Sequence, residues 1–227
     1  MARKSAGNER EKTSAPLPRK AFHLEWKNTS QKIAYMAFEQ HDVLFLWGPA
    51  GSAKTHLAVA FAVSELLAKK KKKIVLSRPI VEAGEKLGFL PGTFEEKINP
   101  YLMPIFDCLD TIVGRDTIER NKVNQCMEIV PIAYMRGRTF HNSVVILDEA
   151  QNATEEQLKL AVTRLGLESK MIITGDPTQS DLKGDIALPR VIESMKTVPG
   201  ISVVEFNESH IVRHPLVAEI LKAWPSK

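Results

Sequence analysis

Cysteine is scarce, with Cys108 and Cys126 the two in 227 residues, 18 positions apart and without a C-x-x-C or a histidine at ligand spacing. That excludes a disulfide framework and gives no zinc site, leaving two buried, reduced thiols as the expectation. No window reaches the roughly 18 apolar residues of a membrane span, and residues 1–20 lack the apolar stretch of a signal peptide. A soluble, cytoplasmic protein with no membrane partner is therefore expected. The body of the chain also lacks net charge. Of the 31 Lys and Arg and 27 Asp and Glu, residues 1–20 hold six bases and two acids, so 25 of each sign remain. The whole excess of +4 sits in that tail.

What is present is a chain long enough for one α/β domain, with 44% hydrophobic residues to build its core. Residues 1–20 mix Ser, Ala, Gly, Pro and charge without an apolar period and read as a disordered basic tail; residues 21–227 read as one domain. Helical patterns run over 29–40, 55–68, 154–165, 189–197 and 215–224. Short apolar runs at 43–47, 74–76, 143–147, 171–174 and 201–206 read as buried strands. Strands alternating with helices predict a mostly parallel sheet with helices on both faces. Between Pro79 and Phe140 the alternation gives way to Gly and Pro punctuation, which predicts an inserted subdomain over about 79–140.

Directly after the first strand stands Gly48-Pro49-Ala50-Gly51-Ser52-Ala53-Lys54-Thr55, followed by His56 and a helix. Strand, Gly-rich loop and helix is the context of a Walker A phosphate loop, in which backbone N–H groups and the positive end of the helix dipole surround an anion. Lys54 would reach the outer phosphates and Thr55 would ligate Mg²⁺. The pattern normally has Gly where Ala53 stands. A methyl there costs little in the right-handed helical region and much at positive φ, and the sequence leaves that choice open.

About ninety residues later, Ser143-Val144-Val145-Ile146-Leu147-Asp148-Glu149 is an apolar strand ending in two carboxylates. After a phosphate loop, Asp148 is the candidate to hold Mg²⁺ through water and Glu149 to orient and deprotonate the attacking water. Gln179, after Thr174-Gly175-Asp176-Pro177-Thr178, is a candidate γ-phosphate sensor, with a plain strand-to-turn connection as the alternative. Gln31 is a candidate adenine reader, against surface solvation.

With those motifs stand longer strings: Ser77-Arg78-Pro79 with the run from Glu82 to Gly92, then Glu95-Glu96-Lys97, Ala133-Tyr134-Met135-Arg136-Gly137-Arg138-Thr139, Asp148-Glu149-Ala150-Gln151-Asn152 and Val212-Arg213-His214-Pro215. Together these resemble the PhoH family of P-loop ATPases, related to superfamily 1 helicases, from about Asn28 to Trp224. The resemblance implies a RecA-like P-loop NTPase fold, ATP and Mg²⁺ as ligands, ATP hydrolysis, handling of single-stranded RNA or DNA, and a ring-shaped homo-oligomer, with a hexamer as a candidate number. Departures are Ser52-Ala53 in place of Thr-Gly, His210 in place of Asp, and Lys183-Gly184-Asp185 in place of a Ser-Gly turn.

A single RecA-like domain leaves a shared site between subunits as the expectation, with Arg213 the arginine finger of a neighbouring subunit, a structural ion-pair residue, or a residue acting within its own chain. Arg78, Arg136 and Arg138 are candidates to grip nucleic-acid phosphates, or to tie the insertion to the core. The run Lys69 to Lys73 reads first as a solvated helix terminus and second as a nucleic-acid patch. Two functions follow: an ATP-hydrolysing motor on RNA or DNA, or a nucleotide-gated nucleic-acid binder with weak turnover.

Overall fold

The computed structural model describes residues 26–79, 94–114, 126–176, 179–181, 186–207 and 216, without side chains for 94–98. The tail, Arg213, His210, the turn at 183–185, the Glu82 to Gly92 string and the expected helix over 215–224 fall outside the described residues, Leu216 excepted.

Six strands form one sheet: β1 (Val43–Trp47), β2 (Lys73–Ser77), β3 (Met127–Ile129), β4 (Ser143–Leu147), β5 (Lys170–Gly175) and β6 (Ile201–Glu205). Their order is β3-β2-β4-β5-β1-β6, and every pair is parallel. All carboxyl ends therefore leave the sheet at one edge. Trp47 is level with Gly175, and Ser77 with Leu147.

The strands bury both faces, and the period of two divides them cleanly. Leu44, Leu46, Ile74, Leu76, Val144, Ile146 and Ile172 point to one core, shared with α1 (Thr29–Gln40), α2 (Lys54–Leu67) and α3 (Phe94–Val113). Val43, Phe45, Val75, Val145, Leu147, Met171 and Ile173 point to the other, covered by α4 (Glu155–Val162), α5 (Ala187–Met195) and a 3-10 turn at Ile132–Met135. The mostly parallel sheet with helices on both faces is thus as expected. Helix α1 covers the predicted span, started by Asn28, whose side chain accepts the Gln31 N–H. Helix α4 opens on a reciprocal capping box between Thr154 and Gln157.

The stretch from Pro79 to Phe140 contains two elements that its Gly and Pro punctuation conceals. Helix α3 runs through Pro100 and Pro104, both exposed, while Leu102, Ile105 and Leu109 form its buried face. Strand β3 extends the main sheet by pairing with β2. Both cysteines are reduced and half-buried rather than buried. Burial, together with the negative charges of Asp148 and Asp107, pushes the Cys108 thiol up to about 11.

The lysine run is partly engaged within the fold. Lys70 pairs with Glu39 and with buried Glu65, each at 3.1 Å, and Lys73 pairs with Glu128 at 3.0 Å.

Candidate active site

The phosphate loop leaves β1 at Gly48, whose N–H donates to Gly175 O at 3.1 Å. It closes on itself through Ser52, which is fully buried and whose hydroxyl donates to Pro49 O at 2.8 Å. The Lys54 ammonium folds back over the loop and donates to Gly48 O at 2.7 Å and Pro49 O at 2.8 Å.

Ala53 sits at φ 66°, ψ 23°, in the left-handed region, immediately before α2 and with no side-chain cap bond. The question left open by the sequence is thereby answered in the costly direction. An L-residue there is disfavoured by roughly 1–2 kcal/mol, and glycine, free of that strain, gives back about 0.4–1 kcal/mol through its larger unfolded-state entropy. Ala53→Gly is expected to stabilise the chain by about 0.5–1 kcal/mol, read as a small upward shift in the urea midpoint at unchanged m value. A downward shift would contradict this backbone conformation.

Ninety-three positions away in sequence, Asp148 meets the loop: the Thr55 hydroxyl donates to Asp148 Oδ1 at 2.7 Å. The Thr174 hydroxyl, at the end of β5, donates to the same oxygen at 2.6 Å and accepts the Glu149 N–H at 3.2 Å. Asp148 is 1% exposed, and its second oxygen, Oδ2, has no hydrogen bond among the described residues. Glu149 lies at φ 54°, again left-handed, so its side chain leaves the strand direction abruptly. The buried Gln151 holds it: Nε2 donates to Glu149 Oε2, while Oε1 accepts the Asp176 N–H at 3.0 Å. A carboxylate oriented by an amide that is itself fixed to β5 is a positioned group, not a free surface acid.

Thr174 and Gln151 are the members of this network for which the sequence suggests no role. A hydroxyl closing an apolar strand is the one visible signal for Thr174. For Gln151, nothing short of the fold reveals that it spans the ends of two strands.

The remaining candidates divide. Gln179 is exposed, in a segment held beside the site by Ser180, whose hydroxyl donates to Gln151 O, and by paired bonds between Asn152 and Asp181. Gln31 is 3% exposed, and its amide oxygen accepts the Lys27 N–H at 2.8 Å. His56 is exposed on the first turn of α2. Arg136 is exposed. Arg138 donates to Glu128 Oε1 at 2.7 Å and lies over the Phe140 ring, and this hydrogen bond, with Lys73 assisting, holds the Glu128 carboxyl below its usual range. Arg78 turns toward the carboxylates, with Nη1 3.7 Å from Asp148 Oδ2 and Nη2 3.9 Å from Glu149 Oε1.

Phosphate loop, paired carboxylates and their supports all lie on one edge of a parallel sheet. The family model described as "PhoH-like protein" matches residues 23–225. The chain belongs to the PhoH-like family. A PhoH-like protein of Bacillus subtilis (strain 168) is 49% identical over 209 residues, covering 90% of this chain and 65% of its own length. Protein PhoH of Escherichia coli (strain K12) is 38% identical over 203 residues, covering 87% of this chain and 57% of its own length. The chain therefore spans less than two thirds of either relative.

Among solved structures, the large terminase of a thermophilic bacteriophage superposes with a TM-score of 0.59 at 9% identity, over 88% of this chain and 50% of the terminase. The same terminase in complex with ADP gives 0.53 at 8% identity, over 87% of this chain and 50% of the terminase. At such identity the likeness concerns the fold, and the parallel six-stranded sheet agrees with the RecA-like P-loop NTPase fold that the family resemblance implies.

Proposed function

We propose that this PhoH-like chain binds ATP with Mg²⁺ and hydrolyses it, coupling the cycle to single-stranded RNA or DNA within a homo-oligomer. The observation that carries the reading is the Thr55 to Asp148 hydrogen bond at 2.7 Å, which joins the phosphate loop to the carboxylate strand in one network. A buried carboxylate oxygen without a hydrogen bond, beside a threonine hydroxyl, is an all-oxygen donor set suited to a hard cation. Thr55, and Asp148 through water, would hold Mg²⁺, which when bound neutralises phosphate charge.

The chain's own residues would do the rest. Backbone N–H groups from Ala50 to Thr55 would cradle the phosphates, with Gly48, Pro49 and Gly51 shaping the loop. The Lys54 ammonium, resting on loop carbonyls, would exchange them for the outer phosphate oxygens. Glu149, oriented by Gln151, would align the attacking water and take its proton. Gln179 would hydrogen-bond near the γ-phosphate, and Gln31 and His56 would lie toward the base. Arg213 of a neighbouring subunit would stabilise the transferring phosphoryl group. That a terminase of similar fold is found in complex with ADP supports a nucleotide as the ligand. For nucleic acid, exposed Arg136 is the arginine best disposed to meet a phosphate; Arg78 and Arg138 have partners within the chain.

One observation favours the second reading, a nucleotide-gated binder with weak turnover: the strained Ala53 in the loop itself. Measuring ATPase rate per subunit against protein concentration, with and without single-stranded RNA, separates the two. The motor reading expects turnover that rises with assembly and with RNA. Nucleotide binding without appreciable hydrolysis would transfer the assignment to the gated binder, and turnover flat at all concentrations would remove the shared site.

A further inference from the structure

Strands β2 and β4 are parallel neighbours, with Ser77 level with Leu147, and the Asp148 N–H donates to Ser77 O at 2.9 Å. The next residues of the two strands, Arg78 and Asp148, therefore leave the sheet side by side. Asp148 is almost wholly buried and has spent Oδ1 on the Thr55 and Thr174 hydroxyls. Its other oxygen has no hydrogen bond among the described residues and faces the Arg78 guanidinium at 3.7 Å. The guanidinium also stands 3.9 Å from Glu149. Both separations are too long for hydrogen bonds, so Arg78 acts on the carboxylates as a charge. Its hydrogen bond goes elsewhere, to Tyr101 O on α3 at 3.0 Å.

A carboxylate removed from water needs a countercharge. We infer that Arg78 is that countercharge in the metal-free site, and that it competes electrostatically with Mg²⁺ for Asp148 and Glu149. The inference rests on the Mg²⁺-nucleotide reading above. Arg78 thereby sets how much Mg²⁺ the site requires. It also links that requirement to α3, because the same side chain is tethered to Tyr101. Arg78 is a positioning residue in this scheme and touches no phosphate.

The sign of the effect separates this role from a structural one. Loss of a structural tie weakens binding, whereas loss of a competing positive charge strengthens it. Titrating Mg²⁺ into the full chain at fixed ADP, followed by calorimetry, is expected to give a half-saturating Mg²⁺ concentration about tenfold lower in Arg78→Gln than in the unsubstituted chain. Arg78→Lys, which keeps the charge, is expected to stay within about threefold. An Arg78→Gln value unchanged or higher overturns the proposal. If Arg78→Gln unfolds without Mg²⁺ and is recovered by it, the cation is replacing the missing charge and the proposal stands; unfolding at every Mg²⁺ concentration makes Arg78 a structural tie and overturns it. An unsubstituted chain that binds no ADP at any Mg²⁺ concentration overturns the nucleotide reading itself, a result distinct from the others.

Discussion

Glu149→Gln is expected to lower the rate of ATP hydrolysis by roughly 10²–10⁴-fold, the span typical of a removed general base, while nucleotide affinity stays within a few-fold. The substitution is nearly isosteric and keeps an oxygen to accept the Gln151 amide, so the network among Glu149, Gln151 and the Asp176 N–H can persist. What is lost is proton acceptance. The left-handed backbone at Glu149 is equally strained with either side chain, so stability should change little. Single-turnover hydrolysis and an ADP or ATP binding isotherm on the same preparation check both halves. A variant that retains full turnover would take the base role from Glu149. One that loses binding as well would mean that the carboxylate shapes the site rather than acting in it.

Sheet and motifs were legible because their signals are local. Apolar runs of four or five residues ending in Gly-Pro, Asp-Glu or Gly-Asp-Pro mark strands whose carboxyl ends carry the candidate site, and β1, β4 and β5 lie where those runs predict. Helix α3 was illegible for a physical reason: Pro100 and Pro104 normally argue against a helix interior, yet the Leu102, Ile105 and Leu109 stripe packs on the core while both prolines face outward. Strand β3 has three residues, too short for a period to register. At the site, the sequence offers Lys54, Thr55, Asp148 and Glu149 through spacing alone. It cannot offer Thr174 or Gln151, whose importance lies in bridging strand ends adjacent only in the folded sheet. Nor can it say which way an arginine turns: Arg78, Arg136 and Arg138 look alike as basic residues near strand ends, and the fold gives each a different environment.

Gly48→Ala is expected to destabilise the chain by about 2 to 6 kcal/mol, combining roughly 1–3 for a side chain at an unfavourable φ and 1–3 for overpacking. Gly48 has φ 149°, and an added Cβ would lie 2.3 Å from Phe206 O and 2.8 Å from Phe206 Cβ. Neither atom is the loose end of a side chain. Phe206 is 2% exposed, and its N–H is bonded to Trp47 O at 2.7 Å, so the contact is pinned between β1 and the end of β6. Relief would require parting those strands or displacing the start of the phosphate loop, and with it the carbonyl that holds Lys54. Against a usual total of about 5–15 kcal/mol, such a loss leaves a marginal fold, visible as a melting temperature lower by roughly 10–20 °C. The contrast with Ala53→Gly makes the test specific. Within one short loop, one glycine is required by a close approach of backbone and one position has the conformation of a glycine without being one. The two substitutions should shift the melting temperature in opposite directions, and a pair moving the same way would contradict the loop geometry on which the proposed nucleotide site depends.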